Sequence, residues 1–124
     1  MDNNKVVKQL VKIAKDLMSE ESHSPIEFQK TLKAFISNMQ SKISAEFNNP
    51  PRTLKISKGG KKWIRLYMTS DVPMSDHAWA FIDPSNGNIL KPDGWKRPAR
   101  HARGNIFDQS SWNGISAYGP SNLR

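Results

Sequence analysis

Lys91, Lys96, Arg97, Arg100 and Arg103 crowd into one short run, KPDGWKRPARHARGN over residues 91–105, with Asp93 as the sole acid among them. Arginine suits phosphate or carboxylate recognition because its planar fork presents paired N–H donors. Cations this close repel one another, so solvent, an aspartate such as Asp83 or Asp108, or an anionic ligand must compensate them. Pro98 and Gly104 bracket what reads as a single helical turn. That turn would bring Arg97, Arg100, His101 and Gly104 to one side by three- and four-residue spacing.

The segments before this run alternate as strands do. Residues 52–57 set Leu54 and Ile56 against Thr53 and Lys55. After the turn signal Lys58-Gly59-Gly60-Lys61, residues 62–68 set Ile64, Leu66 and Met68 against Trp63, Arg65 and Tyr67. In residues 77–82, Ala78, Ala80 and Ile82 share a side, opposite His77, Trp79 and Phe81. Asp83-Pro84-Ser85-Asn86-Gly87 has the chemistry of a tight hairpin leading to a return strand at 88–91. Paired as a meander, these strands give one aliphatic face and one face of rings and cations. The second face is suited to single-stranded nucleic acid: Trp63, Tyr67, Trp79 and Trp95 as stacking platforms, and Lys55, Lys61, Lys62, Arg65, Lys96, Arg97, Arg100 and Arg103 as phosphate ligands. The segment from Asn105 carries Phe107, Trp112, Ile115 and Tyr118. It either folds over the ring-bearing face as a second core or leaves it open.

The run from Phe81 to Asp108, FIDPSNGNILKPDGWKRPARHARGNIFD, with the closing SAYGPSNLR, resembles a block found in small uncharacterised proteins of phages and phage-derived elements. The resemblance covers about the last third of the chain. It implies an origin, with the host cytoplasm as the place of action, and supplies no mechanism.

The first half must carry this sheet. Val6, Val7, Leu10, Val11, Ala14, Leu17 and Met18 form one helical stripe over residues 4–19. Ser24-Pro25-Ile26-Glu27 then reads as a helix start with a capping box and proline at the first helical position. Phe28, Leu32, Phe35, Ile36, Met39 and Ile43 continue the second stripe until Asn48-Asn49-Pro50-Pro51 ends it. The expectation is therefore an α+β fold: a helical hairpin over residues 1–50, packed on a three- to four-stranded antiparallel sheet in residues 51–124 that ends in an irregular tail. The hairpin serves as scaffold or as a homo-oligomerisation surface.

Composition sharpens the asymmetry. The 124 residues carry a net charge of +8, of which residues 51–124 contribute +7 and hold all four tryptophans and both tyrosines. Such a balance favours polyanionic partners. Without cysteine there is no disulfide, thiolate nucleophile or Cys-type zinc site. No stretch reaches the roughly 18 apolar residues of a membrane span, and the charged N-terminus does not read as a secretory signal. Gly59-Gly60-Lys61 lacks the spacing of a phosphate-binding loop. His23, His77 and His101 lack the paired helical spacing of a metal site, and no nucleophile motif occurs. The sequence thus predicts a cytoplasmic, non-enzymatic accessory protein without metal or cofactor, binding nucleic acid. The alternatives are a protein-interaction module whose basic strip meets an acidic surface, and a binder of a small phosphorylated molecule.

Overall fold

Ser24 opens a helix as its sequence requires: its hydroxyl accepts from the Glu27 N–H at 3.1 Å, and Pro25 occupies the first turn, where no N–H is needed. The computed structural model describes residues 24–60 and 62–120, so the expected helix at 4–19 and Lys61 lie outside the described residues. Within them the fold is α+β. Helix α1 (Pro25–Glu46) precedes β1 (Thr53–Gly59), β2 (Trp63–Thr69), β3 (His77–Ile82), β4 (Asn88–Pro92) and β5 (Pro98–Asn105), and a short 3-10 helix (Gln109–Gly114) follows. The strands form one antiparallel meander in the order β1-β2-β3-β4-β5.

Five strands stand where three to four were expected, because Pro98–Asn105 is a strand and not a helical turn. Its Gly104 and Ala102 pair with Ile89 and Leu90, and Pro98 pairs with Pro92. Proline at a strand's first position and on a sheet edge costs no ladder bond. The helical-side grouping of Arg97, Arg100, His101 and Gly104 is thereby overturned.

The hairpin between β3 and β4 follows its sequence. Asp83 N–H donates to the Asn88 carbonyl at 2.9 Å, and Gly87 N–H donates back to the Asp83 carbonyl at 2.7 Å, with Gly87 at φ +82°. An L side chain rarely adopts that angle.

Phe28, Leu32, Phe35, Met39 and Ile43 of α1 are fully buried against Leu54, Ile64, Leu66, Met68, Ala80, Ile82 and Ile89 of the sheet. Each large apolar side chain so buried contributes about 1.5–3 kcal/mol before conformational entropy is set against it. The segment after β5 joins this same core. Phe107 meets Phe28 edge-on at 6.0 Å, Trp112 meets Phe35 at 5.3 Å, and Ile106 and Ile115 are buried beside them. The described part of the tail therefore packs on the α1 side and not on the ring-bearing face. Lys42 of α1 ties the tail down, its Nζ donating to the carbonyls of Trp112 (2.9 Å) and Ile115 (2.7 Å). Gln40 closes the outer edge of β1: its Oε1 accepts from Leu54 N–H at 2.8 Å and its Nε2 donates to the Arg52 carbonyl at 3.0 Å. A primary amide thus stands in for a sixth strand at an edge that would otherwise invite pairing.

Candidate functional site

Cross-strand partners share a face, so the register assigns the surface opposite α1. Lys55 pairs with Tyr67, Ser57 with Arg65, and Gly59 with Trp63, while Arg65 pairs with Phe81 and Phe81 with Leu90. This is the expected face of rings and cations, with one correction. A β-bulge at Leu66/Tyr67 pairs Leu66 with Ala80 but Tyr67 with Ala78, which leaves Trp79 as the extra residue. Trp79 accordingly turns to the α1 side. It is 2 % exposed, lies 6.2 Å from Phe35, and donates its indole N–H to the Ala117 carbonyl at 2.9 Å. It is sealed from any base. Ala78, expected beside Ala80 and Ile82, instead stands with Tyr67 on the far face, and His77 pairs with Met68 at the end of the sheet.

Arg65 is the centre of this face, and its side chain is buried and turned to acceptors within the molecule. It is 8 % exposed, with Nε and Nη1 committed inside the molecule. Its Nε donates to the Trp95 carbonyl at 2.7 Å, and Nη1 donates to Ser57 Oγ at 3.0 Å and the Lys58 carbonyl at 2.9 Å. The guanidinium lies 4.3 Å from the Trp95 ring centre and 5.8 Å from that of Phe81. Burial lowers its pKa, with the neighbouring Tyr67 opposing that shift, yet a guanidinium keeps its charge at any ordinary pH. Its role is positional. It holds the loop at 93–97 over the sheet, so that Trp95 lies edge-on to Tyr67 at 5.6 Å while remaining 42 % exposed. Gly59 makes room beneath, since a Cβ there would come 2.8 Å from the Phe81 ring.

Of the remaining expected ligands, Lys55 stands on this face beside Tyr67. Lys55, Lys62, Lys96, Arg97 and Arg100 are exposed. Lys62 lies 4.8 Å over the half-buried Trp63, and Arg97 faces Asp93 at 3.6 Å, both of that pair largely solvent-exposed. Such a pair is worth about 0–1 kcal/mol and leaves Arg97 able to exchange partners. Among the described residues, Lys55, Lys62, Lys96 and Arg100 have no carboxylate partner. Asp83 and Asp108 instead accept from the hydroxyls of Ser85 and Ser110, each at 2.6 Å. Half-buried Arg103 donates to the carbonyls of Arg100 and His101 along its own strand, bracing β5 where His101 adopts φ +71°.

The structure thus brings together Lys55, Lys62, Trp63, Tyr67 and Trp95 around Arg65, with the basic β4–β5 segment at their side. Trp79 is removed from the set. Sequence reasoning misses Gly59 and Ala78, because each matters only for what a larger side chain there would exclude. Among the described residues, no group of three His, Cys, Asp or Glu side chains is placed to hold a metal ion, and no helix is long and apolar enough to cross a membrane.

No curated protein and no solved structure matches this chain. Residues 2–117 match the model of a family of unknown function, DUF7717, and the chain belongs to that family.

Proposed function

We propose that this DUF7717 protein binds single-stranded nucleic acid, without catalysis, across the face of the sheet opposite α1. The observation that carries the reading is the exposed indole of Trp95, fixed edge-on to Tyr67 by the buried Arg65 and flanked by cations that, among the described residues, are mostly without an acidic partner. A base stacks on an exposed ring for roughly 1–3 kcal/mol, and exposed lysines and arginines take the backbone phosphates. Stacking falls to Trp95 first, with Trp63 and Tyr67 supporting it. Phosphates fall to Lys55, Lys62, Lys96, Arg97 and Arg100.

Titration with oligothymidylate, followed by tryptophan fluorescence, tests this. The expected result is quenching at low salt. The logarithm of the binding constant should fall with the logarithm of salt at a slope of roughly −3.5, the value for about five neutralised phosphates on a single strand. Trp95→Ala should abolish most of the quenching and weaken binding about fivefold or more. No quenching and no binding at low salt would remove the proposal.

A further inference from the structure

The bulge that buries Trp79 also opens the far face. Because Tyr67 pairs with Ala78, a methyl group stands where an alternating strand would have placed an indole. The space left is a cleft of about 330 Å³ lined by Asp76, His77, Ala78, Pro92, Gly94 and Trp95. Bulges commonly re-aim side chains at functional sites. Here the consequence is a slot with a flat wall, the Trp95 indole, a floor small enough to admit a ring, and an acid at its rim. The His77 side chain is tied back to the chain by donation from Nδ1 to the Ser75 carbonyl at 3.2 Å.

The acid sets the chemistry. Asp76 lies on a strongly basic face yet, among the described residues, pairs with no cation. Its Oδ1 accepts from the Thr69 hydroxyl, which orients the carboxylate. An ionised carboxylate is acceptor-only, with about four lone-pair sites, so the rest of its capacity is open to N–H donors. It repels phosphate. Whatever enters the cleft must be flat, apolar on its faces and rich in donors on one edge.

Resting on the nucleic-acid reading above, we infer that this cleft takes one base of the bound strand and prefers guanine. Guanine carries N1–H and the N2 amino group side by side, two donors spaced to meet the two oxygens of a carboxylate. Adenine and cytosine set a donor beside an acceptor, and thymine or uracil flanks its single N–H with two carbonyls that Asp76 would repel.

The test compares thymidine oligonucleotides that are uniform or carry one dG, one dA or one dC, titrated into wild type, Asp76→Asn and Ala78→Leu. The oligonucleotide with one dG should bind wild type at least about fivefold tighter than the uniform one, with no such gain for dA or dC, a ratio set by one good bidentate pair. Both substitutions should bring that ratio to about one. Asp76→Asn does so by replacing an acceptor oxygen with a donor, and Ala78→Leu by filling the floor. Equal affinity for all four oligonucleotides, or a dG preference that survives either substitution, overturns the guanine site while leaving the nucleic-acid reading standing. Failure of every oligonucleotide to bind overturns both.

Discussion

Lys62 and Arg65 stand three residues apart on the same arm of one hairpin, yet Lys62 is exposed and Arg65 is buried. Arg65 lies in the middle of its strand under Trp95, where carbonyls, a hydroxyl and two rings replace its water. Tyr67, next on the same face, shares that burial. Burial is the largest cause of its raised pKa; the nearby Asp76 charge adds to it and Arg65 works against it. The phenol therefore keeps its proton beyond the ordinary value of 10.0. Because the folded value lies above the unfolded one, this contribution to stability is complete below pH 10.0 and declines as pH rises from there through the folded pKa. Tyr118 is also raised, chiefly by donation to the Glu46 carboxylate at 3.0 Å, so the measurement needs Tyr118→Phe as background. In that protein the tyrosinate absorbance of the remaining phenol should appear at higher pH in the folded than in the urea-unfolded chain. Coincident titrations would show that Tyr67 is not held as described.

At the scale of elements, legibility follows locality. Helix α1 and strands β1 to β4 are readable because their apolar residues recur at one fixed period between turn residues of known chemistry. β5 is not, since PARHARGN has no β-branched residue and owes its extended form to pairing with β4. The bulge is equally silent: HAWAFI alternates cleanly, and only the partner strand reveals that one residue is extra. That single residue exchanges Trp79 for Ala78 on the candidate site. The docking of the tail is invisible for the same reason, as Lys42 meets Trp112 and Ile115 across 70 and 73 residues of chain. Lys42→Met keeps the stem but leaves those carbonyls without their donor. It should cost about 1–3 kcal/mol in urea unfolding. A stability unchanged within error would mean that water replaces the ammonium there at no cost.

The molecule as a whole is a sheet with two differently occupied sides. Among the described residues, the α1 side is closed by the helix and the C-terminal segment, whereas the other side is covered as far as Trp95 reaches. A surface with this much uncompensated positive charge gains little internal stability from it, since self-repulsion opposes what solvation supplies. Stability and binding should therefore separate by side. Ile64→Val trims the closed core at the position next to Arg65 and should lower stability by about 0.5–1.5 kcal/mol. Its effect on oligothymidylate affinity should be negligible, because Ile64 faces α1. Changing Lys62, Lys96, Arg97 and Arg100 together to glutamine should do the reverse. Unfolding should shift by no more than about 0.5 kcal/mol per site. The salt slope should flatten by about 0.7 for each phosphate that is no longer neutralised. If the glutamine variant unfolded early while binding as before, the cations would be structural, and the polyanion-binding role of this face would fall with that result.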